Sequence, residues 1–310
     1  MENSTQYKFF LLGLTNIPYL QAICLLIFSI MYLTTLLGNS LLVLVVRMNP
    51  RLQIPMYFFL SNLSIVDILF SSTIVPKLLV NTIVQDKSIS LPECAFQMFC
   101  TLTLGAAECL ILAVMAYDRY AAICKPLHYN TIMSRGFRVC LVAGCWAVGI
   151  INSIFHVVLT FQLTFCRSHQ INHFSCEVHP FHRLSCQDPW FNELAMYISA
   201  SIIGGCAFCL TLISYVYIIS TIFKIRSSQG RRKAFSTCVS HITVVSLFYG
   251  ATFMIYLRPR STYSPESGGT TSIIYTSVTP MLNPIIYSMR NKDIKESIRQ
   301  ICTSLPSIFH

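Results

Sequence analysis

Charge is what this sequence has least of. Only 11% of its 310 residues are Asp, Glu, Lys or Arg, against roughly 25% in soluble domains. With 54% hydrophobic residues and a mean hydropathy of +0.60, it cannot cover a water-facing surface of this length, which excludes an ordinary cytosolic domain. A glycine-rich phosphate loop is missing, and the notable carboxylates lie inside apolar runs, so an enzyme is not expected. The period-two alternation of a membrane barrel is missing too, which favours helices. There is no internal repeat, which disfavours an inverted-repeat transporter. No cleavable leader is expected, because the first apolar run follows twenty-one mixed residues and is long enough to span.

What is present is a series of apolar runs. A bilayer-spanning helix needs about 20 mainly apolar residues. Seven runs qualify: Ala22–Val46, Pro55–Val75, Ala95–Tyr117, Val139–Phe165, Leu194–Phe223, Ala234–Leu257 and Gly268–Met289. Five lack Asp, Glu, Lys and Arg; the second holds only Asp67 and the third only Glu108. The fifth is longer than one span and should project or tilt. The expected fold is an all-α seven-transmembrane bundle in one domain, 1–310. Residues 1–21 form an outer tail, 22–289 the bundle, and 290–310 a cytoplasmic helix and tail.

Basic residues set the orientation. With the N-terminus outside, fifteen of the 22 Lys and Arg fall on inner segments and seven on outer ones. The net charge of +10 is mostly this topology signal. Spread over short loops, it gives nucleic-acid binding little support. Asn3 heads a glycosylation sequon in the outer tail. After the seventh run, Ile294, Ile298, Ile301 and Leu305 recur at helical spacing around Lys295 and Arg299, an amphipathic helix on the inner lipid surface. Cys302 near its end is a candidate for lipidation. Four of the 14 cysteines, Cys94, Cys166, Cys176 and Cys186, fall outside. Two disulfides are expected, with three possible pairings.

Polar groups inside a membrane are costly and are functional candidates by default. Asn39, Asp67, Glu108 and Asn283 lie in different spans and can meet in one interior cluster. Asp67 and Glu108 could share a proton or hold a small cation such as sodium. The bland reading is a hydrogen-bonded packing cluster, and the two can coexist. On the third span, Thr101, Gly105, Glu108, Leu112 and Arg119 keep close to one stripe. Glu108 lies roughly 16 Å above Arg119. One helix face therefore joins an outer site, a mid-membrane acid and an inner arginine. Taken alone, Arg119 would read as a snorkelling interfacial residue.

It is not alone. "MAYDRYAAICKPLHY", Met115–Tyr129, resembles the end of the third span in the odorant receptors, a branch of the rhodopsin-like G-protein-coupled receptors. In order along the chain, further motifs resemble the family: Gly38-Asn39, "PMYFFLSNLS" (Pro55–Ser64), Ser214-Tyr215, "KAFSTCVSHI" (Lys233–Ile242) and "PMLNPIIYSMRNKDIK" (Pro280–Lys295). The resemblance covers the whole chain. Thr101 stands where amine receptors carry an Asp, and the seventh run has no Lys for a retinal. The sixth run has Phe248-Tyr249-Gly250 and no Pro, as odorant receptors do, so a tryptophan toggle is not expected.

The resemblance implies a plasma-membrane receptor, in sensory cilia, for a small, mostly apolar odorant. It implies coupling to a stimulatory, olfactory-type G protein and no cofactor. Asp118 would restrain Arg119, the switch, within the Asp118-Arg119-Tyr120 triplet; Tyr215 and Tyr287 would stabilise the open state. Disulfides Cys94–Cys176 and Cys166–Cys186 are implied likewise. His173, Cys176 and Glu177, with His169, His179 and His182, also suggest a metal site, but a disulfide would claim Cys176. In such a bundle the ligand cavity would be lined by Thr101, Leu102 and Gly105; Ser199, Ala200 and Ile203; Tyr249, Thr252, Phe253 and Tyr256; and Ile273 and Thr276. None is charged, which suits a neutral ligand. The rivals are a non-olfactory chemosensory receptor of the same fold and a channel or transporter using Asp67 and Glu108 as relays.

Overall fold

The computed structural model describes residues 8–15, 17–84, 87–166, 169–256, 272–290 and 292–304, with backbone alone at 233, 237, 254–256, 289–290, 292–293 and 301–304. Six described helices are long and apolar enough to cross a membrane: Pro18–Met48, Pro55–Ile83, Leu91–Cys124, Arg135–Phe161, Trp190–Lys224 and, within Ser228–Tyr256, Ser228–Phe253. The seventh runs from Ser272 through a wide π-turn at Ile274–Val278 into Thr279–Arg290. It packs on the first, second and sixth spans, completing a seven-helix bundle. The third span is the axis, packing chiefly against the second, fourth and fifth.

Local chemistry explains most ends. Pro18 and Pro55 open their helices at the first position, where a missing N–H costs nothing. Ser90 and Glu93 form a capping box at the third, satisfying two orphan donors. The fifth helix has 35 residues; at 1.5 Å each it exceeds a hydrocarbon core of about 30 Å and projects beyond it.

The fourth helix stops at Phe161, not Phe165, although the apolar run continues. Phe165 bridges to Ser185 and packs its ring on Phe9, Phe161 and Phe181. Its hydrophobicity serves a second core, at the end that is outermost in the orientation given by the basic residues. There Lys8–Leu11 (β1) pairs antiparallel with Ser88–Ser90 (β2) and parallel with Gln170–Ile171 (β3). Phe9 and Leu11 are buried, so part of the expected outer tail is a sheet strand. Asn3 lies outside the described residues.

Disulfides Cys94–Cys176 and Cys166–Cys186, with Cα separations of 5.4 and 5.7 Å, tie the long loop to the third span and to itself. At the opposite end the helix Lys292–Ser304 buries Ile294 and exposes Lys295 and Arg299. The Asn49 amide donates to Ser297 Oγ at 2.7 Å, tying this helix to the first inner turn. The side chains of Ile301 and Cys302, and Leu305 itself, lie outside the described residues.

Candidate functional site

A cavity of about 470 Å³ opens between the outer halves of the third, fourth, fifth, sixth and seventh spans. Ligand sites commonly have volumes of about 300–1,000 Å³. Thr101, Leu102 and Gly105 line it from the third span, and Ser199, Ala200 and Ile203 from the fifth. Tyr249, Thr252 and Phe253 line it from the sixth, and Thr276 from the seventh. Ile273 is not on the wall; it packs against the main core. The π-turn that follows it has a wider repeat than an α-helix, so Tyr275 and Thr276 face the cavity instead. The side chain of Tyr256 lies outside the described residues.

Tyr275 is a wall residue that helical stepping from Ile273 misses. Its ring stands edge-on to Phe70 at 5.2 Å and also meets Phe248. A Cβ at Gly105 would come within 2.6 Å of its hydroxyl, so the missing side chain makes room for that hydroxyl. Phe208, one turn beyond Gly204 on the fifth span, packs edge-on to Tyr249 and Phe253. Continuing the Ala200 stripe by two turns would have found it.

The roof was hidden from helical periodicity because a loop supplies it. Cys176, Glu177, Val178 and His179 line the cavity. The disulfide and Gln97 hold this segment: Gln97 accepts the Cys176 backbone N–H at 2.9 Å and donates to the Thr73 carbonyl at 3.0 Å. Glu177 accepts from Ser175 Oγ at 3.2 Å and from Ser272 Oγ, which latches the loop to the seventh span. The roof thus adds the carboxyl of Glu177 to the uncharged side chains of the helices. The metal reading loses its thiolate to the Cys94–Cys176 disulfide, while His173 Nδ1 is turned to Ser175.

His182 closes the short loop helix Val178–His182 and is 3% exposed, with neither ring nitrogen hydrogen-bonded. Burial, then the neighbouring His179 and His156, push its pKa down to about 4. Unfolded, it titrates near 6.5. The unfolded chain therefore binds the extra proton first. The associated stability is intact above about pH 6.5 and is lost as the pH falls toward 4. Between about pH 7 and pH 5 the loss is about 2 kcal/mol. The thermal midpoint of the receptor in nanodiscs should fall over that interval, and fall less in His182→Leu. Parallel curves for the two proteins would remove His182 from the pH dependence.

Below the cavity, Asp67 accepts the Asn283 amide through both oxygens, at 3.1 and 3.0 Å. Asn39 donates to the carbonyls of Thr35 and Pro280, at 3.0 and 3.1 Å. Glu108 is buried and close enough to Asp67 to interact electrostatically. The four intramembrane polar residues thus lie in the buried interior, with Asp67 directly joined to Asn283.

At the inner end Arg119 is 4% exposed and Asp118 1%. Asp118 accepts the Tyr129 hydroxyl at 2.9 Å, from the short inner helix Tyr129–Ile132. Burial, then the Asp118 charge, raise the pKa of that phenol well above its usual value, so Tyr129 stays a donor. Helical spacing within the third span had no means of finding this partner. Tyr215 meets His241 Nδ1 at 2.6 Å, and His241 Nε2 meets the Leu112 carbonyl at 3.1 Å. The fifth, sixth and third spans are joined there. Tyr120 packs its ring on Tyr117 and Tyr217, and Tyr287 is buried.

Comparison with known proteins bears on this arrangement. Residues 28–304 match the family model described as "Olfactory receptor". The chain is 48% identical over 295 residues to olfactory receptor 1G1 of Gorilla gorilla gorilla, covering 95% of this chain and 94% of that one. It is 45% identical over 293 residues to olfactory receptor 8U3 of Mus musculus, covering 94% and 92%. With olfactory receptor 5G3 of Homo sapiens it shares 45% over 293 residues, covering 94% and 93%. A bundle with a walled outer cavity, a disulfide-tied roof and a buried inner arginine, matched along nearly its whole length by these proteins, belongs to the olfactory receptor family of G-protein-coupled receptors.

Proposed function

We propose that this receptor binds a small, mostly apolar odorant in the outer cavity and activates a stimulatory, olfactory-type G protein, raising cyclic AMP. The observation that carries the reading is the third span. Its outer half lines the cavity through Thr101, Leu102 and Gly105, and its inner end buries Arg119. One rigid helix couples the two ends. Asp118, Tyr120, Tyr215 and Tyr287 set the resting and open positions of that inner end. The N-terminus faces outward, and the protein works in the plasma membrane of sensory cilia. A buried pair such as Asp67 and Glu108 holds two negative charges only with a counter-ion; a shared proton or a sodium ion supplies the balance.

The test is an odorant panel on cells reporting cyclic AMP. An agonist should raise cyclic AMP without a ligand-gated current; a current without cyclic AMP would favour a channel. Thr252 Oγ1 donates to the Phe248 carbonyl at 2.8 Å and keeps its lone pairs for a ligand. The Tyr249 hydroxyl pairs with the Cys109 sulfur at 3.7 Å. Thr252→Val should lower agonist potency by about tenfold, the worth of one net hydrogen bond. Unchanged curves in Thr252→Val and in Tyr249→Phe would place the polar anchor elsewhere.

A further inference from the structure

Four hydroxyls on the cavity wall have spent their protons on the protein. A hydroxyl has one proton and two lone pairs. Thr101 Oγ1 donates to the Gln97 carbonyl at 2.7 Å, and Thr252 Oγ1 to the Phe248 carbonyl at 2.8 Å. The Ser199 proton goes to the Met196 carbonyl at 3.1 Å or to His156 Nε2 at 2.7 Å. Ser272 gives its proton to Glu177. Glu177 accepts from Ser175 as well as from Ser272. The four hydroxyls and Glu177 lie on the cavity wall, so a ligand meets an excess of lone pairs. Asn152, Ser201, His179, Tyr197 and Tyr275, also on the wall, can both donate and accept, and favour neither class. Tyr249 meets the Cys109 sulfur at 3.7 Å, and a thiol is a weak acceptor, so its hydroxyl can still turn to a ligand.

We propose that this cavity selects ligands whose polar head is a hydrogen-bond donor, an alcohol, a phenol or an amine on an apolar frame. Aldehydes, ketones and ethers of the same skeleton are disfavoured. The inference rests on the outer cavity being the ligand site. A hydroxyl ligand accepts from Tyr249 or gives its own proton to the wall, and can do both. An aldehyde can only accept, and against the hydroxyls whose protons are spent it leaves two acceptors face to face. Buried polar atoms left unpaired carry the full cost of their lost hydration. Glu177 contributes to the bias as the acceptor of two serine protons, from Ser175 and Ser272.

The test uses the full-length receptor in phosphatidylcholine nanodiscs. Linear, terpenoid and benzylic skeletons are each presented as alcohol, primary amine, aldehyde and methyl ether, and saturable binding is read by thermal shift. On the skeleton that binds best, the alcohol or amine should bind about tenfold more tightly than the aldehyde. Glu177→Gln keeps an acceptor oxygen for the serines and adds N–H donors, so that ratio should fall toward one. If Glu177→Gln does not reach the surface, Thr252→Val, which removes an acceptor from the opposite wall, should shrink the same ratio. Aldehydes or ethers binding as tightly as the alcohols, or a ratio unmoved in the folded variant, would overturn the donor preference alone. No saturable binding by any member would overturn the ligand-site reading beneath it.

Discussion

Arg119→Ala should leave the receptor at the cell surface and abolish agonist-evoked cyclic AMP. Arg119 is 4% exposed at the inner end of the third span. Burying a charge costs several kcal/mol even after relaxation, so a fold that retains one there gains something other than stability. Removing it should not collapse the bundle. Asp118 keeps the Tyr129 hydroxyl at 2.9 Å, and the Tyr215–His241–Leu112 connection holds the neighbouring spans. On the proposed coupling, what is lost is the cation that a G-protein helix meets when the inner ends separate. Surface labelling and cyclic AMP, measured in the same cells, check this. Normal cyclic AMP in the variant would sink the assignment. Agonist binding to membranes from those cells separates lost coupling from lost folding.

How much was legible beforehand followed from which forces act locally. A bilayer demands long apolar runs with internally satisfied backbones, so the seven spans could be read one by one. Stripe arithmetic on regular helices placed Thr101, Gly105, Ser199 and Thr252 on one wall. It failed at Ile273 because the seventh span widens into a π-turn, which shifts the face by a fraction of a turn with no mark in composition. It also failed at Phe165, whose hydrophobicity serves the outer aromatic cluster rather than lipid. The partners of Glu177 and Tyr129 were invisible for a third reason. Each reaches its partner from a loop or a loop helix, across 95 and 11 residues, and no periodicity joins such positions. The strand Lys8–Leu11 is a similar case: its two buried residues matter only because β2 and β3 close on either side.

Gly149→Ala should remove most receptor from the cell surface. A Cβ at this position would lie 2.7 Å from the Thr103 carbonyl oxygen and 3.5 Å from that residue's Cα and carbonyl carbon. The obstacle is backbone, so no rotamer change can relieve it. The third and fourth spans must separate instead. That would strain the hydrogen bond across the same contact, from Thr103 Oγ1 to Ser153 Oγ at 2.8 Å. Overpacking of a tight core typically costs about 1–3 kcal/mol, and the lost hydrogen bond adds about 1 kcal/mol. Against a total stability of about 5–15 kcal/mol, that is enough to lower abundance several-fold. Gly144→Ala, in the same helix, is the control, because a Cβ there meets nothing within 4 Å. Flow cytometry of an epitope-tagged receptor should show Gly144→Ala near the wild-type level and Gly149→Ala far below it. Equal surface levels for the two would mean that the third and fourth spans do not pack this closely, and that the third span is not fixed by the fourth as it runs from the cavity to Arg119.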